Sequence, residues 1–230
     1  MSRAATSRLR TRGLIGRAGL GAAALGLLGV VGVRYTPRLR HRIRTWGATA
    51  AEAAARLPGD ELLENADGVT TRAITIDAPA AAVWPWLAQM GPSPRGGAYT
   101  YDWIENVLGL NMHSVDRVLP EFQHPKIGDT IGLGKTSMRT ERVEPERVLA
   151  TRSQDGNWVW TFVLSEHNGQ TRLVSRNRFG LLTRSARLSL LPMESGSLVM
   201  ERKMLQGIKQ RAERLAPDRP DPQPGTVVSA

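Results

Sequence analysis

The chain has 230 residues, 41% of them hydrophobic, enough for one sizeable domain with extensions and too few for two large ones. Its formal net charge of +10 suggests nucleic acid or a membrane, but residues 1–45 hold ten arginines and no acid, leaving 21 basic and 21 acidic groups in residues 46–230. A formally neutral body argues against a nucleic-acid partner, and the absence of cysteine excludes a disulfide framework, a thiolate zinc site and a cysteine nucleophile.

In chain order, a basic tail at 1–12 precedes 21 residues, 13–33, made mainly of Gly, Ala, Leu and Val and broken only by Arg17. At ~1.5 Å per residue a helix of that length matches a ~30 Å hydrocarbon core, so the run is expected to be a transmembrane helix. No A-x-A cleavage pattern follows it, and Arg34 comes next, so a retained single-pass anchor is favoured over a signal peptide. Five arginines lie before the apolar core and five after; the denser second cluster points to a cytoplasmic domain on the cell membrane. Arg34, Arg38, Arg40, Arg42 and Arg44 are expected to meet anionic headgroups. Residues 34–69 then form a juxtamembrane segment and linker, with an alanine-rich helix near 49–56.

Residues 72–77 alternate Ile74 and Ile76 with Thr75 and Asp77, the period of a half-buried strand. A helix is predicted at once, with Asp77 as cap, Pro79 in its first turn, Val83, Leu87 and Met90 on one face, and a kink or restart at Pro85. Gly91, Gly96 and Gly97 with Pro92 and Pro94 predict a loop before Tyr99, Tyr101 and Trp103, aromatics dense enough to suggest a pocket wall. Residues 111–126 show no period and are expected to be a long loop. Strands follow near 130–133, 138–143, 147–152, 157–164 and 171–179, with turns at Glu144-Pro145, Asp155-Gly156 and Asn168-Gly169. In the fourth of these, Trp158, Trp160, Phe162 and Leu164 share a face that must be covered. Residues 181–191 read as a further edge strand. From Ser197, a plausible N-cap, to 215 the period is helical, with Met200, Met204, Ile208, Ala212 and Leu215 on one side and Glu201 off it. The proline-rich residues 216–230 have too little apolar surface to fold.

Together these elements predict an α+β helix-grip fold over 70–215, a curved antiparallel sheet wrapped around a long C-terminal helix. Residues 70–214 resemble the SRPBCC superfamily, the START-like and polyketide-cyclase-like ligand-binding proteins related in fold to the birch-pollen allergen, and within it an actinobacterial membrane-anchored branch. The resemblance is carried by WGAT at 46–49, LPGDEL at 57–62, IDAPAAAVWPWLAQMG at 76–91, RGGAYTYDWIEN at 95–106, IGDTI at 127–131, TRLVSRNR at 171–178 and MERKMLQGIKQRAE at 200–213. It implies fold more firmly than activity.

Trp86, Tyr99, Tyr101, Trp103, Trp158 and Trp160 are the candidates to line an apolar ligand site, with Met200 and Met204 facing it from the last helix. Arg176, out of phase with Leu173, is expected in solvent. GLGKT at 132–136 is not a phosphate loop, because Asp129 stands where its first glycine is required and a strand follows. No cofactor is implied, and the four scattered histidines, His41, His113, His124 and His167, make no metal site. The favoured reading is a membrane-tethered domain that binds or transports a lipid-like or polyketide-like molecule between sheet and helix. The alternatives are a cyclase- or dehydrase-like enzyme using His113, Asp116 and Tyr101 as acid and base, and a protein-interaction domain with a collapsed pocket.

Overall fold

The computed structural model describes residues 37–134, 136–180 and 186–216, with side chains from 194 onward in the last of these. The chain divides into residues 1–42 and residues 43–230. Among the described residues no helix is long and apolar enough to cross a membrane. The apolar run at 13–33 and the tail beyond 216 lie outside the described residues.

After α1 (Pro37–Arg44) and the short α2 (Ala50–Ala54), six strands form one antiparallel sheet. They are β1 (Gly68–Ile76), β2 (Thr130–Leu133), β3 (Thr136–Glu144), β4 (Val148–Ser153), β5 (Trp158–His167) and β6 (Gln170–Phe179), ordered β1-β6-β5-β4-β3-β2. The β5–β6 turn takes Asn168 and Gly169 at φ 51° and 70°, the left-handed pair that suits the twist of a tight hairpin. A register shift between Thr140 and Arg142 bends β3 and adds to the curvature of the sheet.

Between β1 and β2 lie α3 (Ala80–Ala88) and α4 (Asp102–Val107). Pro79, not Asp77, sits at the N-cap of α3; the Asp77 N–H donates to Glu213 and the Ala80 N–H to Glu166. Pro85 brings no restart, because Val83, Trp84, Trp86 and Leu87 are all buried and packing holds the last turn where a hydrogen bond is missing.

The last helix, α5 (Ala186–Leu215), starts eleven residues earlier than expected, so 186–191 are helical, not an edge strand. Ser197 is therefore inside the helix, where its hydroxyl donates to the Glu194 carbonyl, and cannot cap it. Met204, Leu205, Ile208 and Ala212 pack on the inner face of the sheet with Ile76, Leu149, Phe162, Leu164 and Leu173. This is the gripped-helix arrangement. Gly207 lets α5 approach the loop closely: a Cβ there would stand 2.6 Å from the Tyr99 carbonyl oxygen.

The outer face of the sheet is covered too. The Ala73 N–H donates to the Trp46 carbonyl, so the chain arriving from α1 closes part of the β1 edge and then crosses the outer face through α2 and a 3-10 turn (Asp60–Leu63). Beneath this strap Ala73, Ala150, Val159 and Thr161 are almost fully buried. Three arginines of β6 hold it. Arg172 pairs with Glu52 at 2.7 Å and donates to the Gly47 carbonyl; Arg178 donates to the carbonyls of Leu63 and Glu64. Arg176, expected in solvent, is 3% exposed. It donates to Thr71, to Asp60 at 2.7 Å and to the carbonyls of Glu52, Ala53 and Ala55. Arg176 does lie on the face opposite Leu173, but the strap covers that face.

Candidate functional site

On the inner face, strand pairing sets Trp160 beside Asn177, Phe162 beside Ser175, and Arg72 on the other side of Ser175. Opposite them α5 presents Glu201, which is 7% exposed. Glu201 lies seven residues before Ile208 and eleven before Ala212, the spacing of one helix face, and seven after Glu194, also buried. The expectation that Glu201 lies off the buried side is thereby corrected.

Three side chains, Arg72, Ser175 and Asn177, donate toward this carboxylate. Arg72, fully buried, forms an ion pair with it and also donates to the Ser197 hydroxyl at 3.0 Å and the Ile43 carbonyl at 3.2 Å. The Ser175 hydroxyl donates to Glu201 at 2.6 Å, and the Asn177 amide lies 3.3 Å from both carboxylate oxygens. Behind them the Trp160 indole N–H donates to Ser175 at 2.9 Å and the Trp158 indole N–H to Asn177 at 2.8 Å. Burial pushes the Glu201 carboxyl up, while the Arg72 charge and the Ser175 hydroxyl pull it down. A second buried acid at this end of α5, Glu194, takes the guanidinium of Arg44. Arg44 is thus committed to the domain and not free for headgroups, because a buried carboxylate requires a counter-charge.

The two indoles are stacked, with centroids 5.7 Å apart and planes 20° apart, and both are half-buried. Farther along β5, Phe162 and Leu164 are buried under Leu205, Ile208 and Ala212. The inner face is therefore filled at the Leu164 end and, among the described residues, partly uncovered at the Trp158 end. Met200 is half-buried near this end and Met204 is buried in the core.

The remaining sequence candidates fall elsewhere. Trp86 and Tyr99 meet edge to face at 5.9 Å in the core, and the Tyr99 hydroxyl, pushed up by burial, donates to the Trp86 carbonyl at 3.0 Å. The glycine-rich loop before Tyr99 is closed by a bridge between Gly91 and Gly97 and pinned by Arg95, which donates to the carbonyls of Ala88 and Met90. Gly97, at φ 77°, leaves no room for a side chain: a Cβ would sit 2.6 Å from Ser114 Cα. Tyr101 and Trp103 are exposed, as are His113 and Asp116. Asp116 is held by Arg211 at 2.9 Å and Arg214 at 3.5 Å beside Trp86, in a cleft of about 170 Å³. A wider cleft of about 700 Å³ lies over β2–β4, lined by Thr130, Ser137, Arg139, Glu141, Arg152 and Asp155. It is larger, but its lining is mainly polar and charged side chains, so it offers an apolar molecule little to bury against.

No protein-family model and no curated protein matches the chain. Similar solved structures include a polyketide-cyclase-like protein of Corynebacterium glutamicum, 17% identical over 64% of this chain and 88% of its own, with a TM-score of 0.32. A protein of Staphylococcus saprophyticus is 16% identical over 66% of this chain and 96% of its own, with a TM-score of 0.41. A protein of Mesorhizobium loti is 17% identical over 64% of this chain and 98% of its own, with a TM-score of 0.39.

Proposed function

We propose that this protein is a membrane-tethered domain that binds or carries a hydrophobic small molecule with one polar end, lipid-like or polyketide-like, between the inner face of the sheet and α5. The observation that supports this reading is the gradient along β5, from buried Phe162 and Leu164 to half-buried, stacked Trp158 and Trp160. The indole N–H groups are engaged by Asn177 and Ser175, so the rings present apolar faces whose polar atoms need nothing from a ligand. The ligand's polar end would meet Asn177, which is half-buried and has capacity beyond its bonds to Glu201 and Trp158. The apolar run at 13–33 would keep the domain beside the phase in which such a molecule dissolves, raising its effective concentration.

The test is native mass spectrometry of the full chain extracted in mild detergent, with anilinonaphthalene sulfonate as an apolar probe. A co-purifying acyl or polyketide-like molecule is expected, lost in Trp158→Ala with Trp160→Ala. A chain that carries nothing and does not bind the probe would overturn the reading.

A further inference from the structure

Three large apolar side chains stand in solvent within six residues: Trp103, 69% exposed, Val107, 81%, and Leu108, 71%. Trp103 and Val107 are four apart, on one side of α4, while Glu105 of the same helix is buried. Isolated exposed apolar residues need no explanation, but a cluster on one short helix does. The platform is also held firmly. The Asp102 carboxylate accepts from the Ser114 N–H and hydroxyl at 2.7 and 2.6 Å, and the Asn106 side chain exchanges two hydrogen bonds with the Met112 backbone at 2.9 and 2.6 Å.

What covers this face is argued from the chain that precedes the body. The apolar run at 13–33 is long enough to span a bilayer and ends ten residues before Ile43, where the second unit begins. Within that unit, the incoming chain and the base of α4 attach to the same stretch of α5. Arg44 pairs with Glu194 and Arg202 lies 5.3 Å over the Trp46 ring, while Lys203 lies 5.9 Å from the Tyr101 ring. Glu201, at the head of the Trp158–Trp160 end of the inner face, lies in that stretch too. α4 carries Asp102 and Glu105 and no basic residue, so its attraction is apolar and not toward anionic lipid.

We propose that α4 is a membrane foot. Trp103, Val107 and Leu108 insert at the boundary between headgroups and acyl chains of the bilayer that holds residues 13–33, at the same end of α5 as the ligand mouth; tryptophan suits that boundary because its ring is apolar and its N–H is wet. The inference rests on the tethered-binding reading and adds the orientation of the domain.

Because the chain has no cysteine, single-cysteine variants report one position each. Trp103→Cys, Val107→Cys and, as control, Gln210→Cys on an exposed turn of α5 are labelled with an environment-sensitive fluorophore. The full chain is then reconstituted in pure phosphatidylcholine vesicles. Blue-shifted emission, quenching by doxyl lipid and severalfold weaker iodide quenching are expected at 103 and 107 but not at 210. Iodide quenching equal at all three positions in chains that float with the vesicles would overturn the foot and leave the tether standing. Crosslinking between copies through the new cysteines would also overturn it, assigning the face to a second copy. Chains that do not float remove the tether and the foot together, and ligand retention in the same preparations, read by mass spectrometry, reports separately on the binding site.

Discussion

The two faces of this sheet both bury arginine, under opposite conditions. On the outer face Arg176 spends its guanidinium on Asp60, Thr71 and three strap carbonyls, acceptors fixed by the course of the backbone. On the inner face Arg72 meets Glu201 and Ser197 of α5 and one carbonyl, and the carboxylate also gathers two side chains, Ser175 and Asn177, that reach on to half-exposed indoles. The first arrangement is a fastening, since backbone carbonyls cannot be exchanged for other groups. The second is a side-chain network at the partly uncovered end of the core, where residues could be replaced without unmaking the fold. Burial alone does not separate structural from functional charge; the identity of the partners does.

The sharpest test of that contrast is removal of the fastening. Arg176→Ala leaves buried Asp60 only the longer contact to Arg178 at 3.6 Å and the Leu57 N–H, with several carbonyls unbonded, and the expected loss is about 3–5 kcal/mol in urea unfolding. Arg176→Lys should recover little of it, because an ammonium cannot reach acceptors spread around a planar fork. A loss under 1 kcal/mol would show that the strap does not depend on β6.

On the inner face the single variant Glu201→Leu should cost about 3–5 kcal/mol, since Arg72 is left buried and unpaired. Glu201→Leu with Arg72→Met should recover most of that loss, because an apolar pair of similar volume can stand in for a buried ion pair. The double variant should nevertheless lose the co-purifying molecule in native mass spectrometry. Retention of the molecule would assign the pair to the fold alone and erase the distinction between the faces.

The smallest expected effect is electrostatic and lies on the outer face. The hydrogen bond from Arg172 is the main cause that lowers the Glu52 carboxyl from 4.5 to about 2. A carboxylate that holds its proton less tightly when folded contributes stability above its unfolded value, and the contribution disappears as pH falls through the folded one. At neutral pH this contributes about 1–2 kcal/mol after solvent screening of a partly exposed pair. The stability difference between the parent and Glu52→Gln, followed by chemical denaturation, should therefore be constant above pH 5 and shrink between about pH 5 and 2. A difference that grew on acidification would reverse the assignment.

Much of the architecture was legible because it is written in short-range period. Alternation in β5, the Asn168-Gly169 turn and the heptad-like run of α5 mark their own elements, since side chains two apart in a strand or seven apart in a helix share a face whatever packs on them. A helix cap is written in the sequence too: Thr49 and Glu52 form a capping box, the Glu52 carboxylate accepting from the Thr49 N–H at 2.7 Å. The candidate site was legible in part. Trp158 and Trp160 stand out as aromatics, whereas nothing marks Arg72 and the apolar stripe places Glu201 off it, although the spacing of Glu194, Glu201 and Ile208 marks one helix face. Tyr101 and Trp103 illustrate the converse, since aromatic density suggests a pocket wall and both side chains are exposed.

The sequence by itself determined the succession of the six strands, the hairpin turns, the apolar stripe of α5 and the separation of an arginine-rich, acid-free beginning from a formally neutral body. Tertiary structure alone decided what each face meets. Residues 46–64, with no period to announce them, cover the outer face and turn Arg176 from a surface residue into an anchor. α5 in turn brings Glu201 to Arg72 across 129 positions of sequence. The physical reason is that periodicity fixes the direction in which a side chain points, whereas burial and partner depend on which distant segment arrives there.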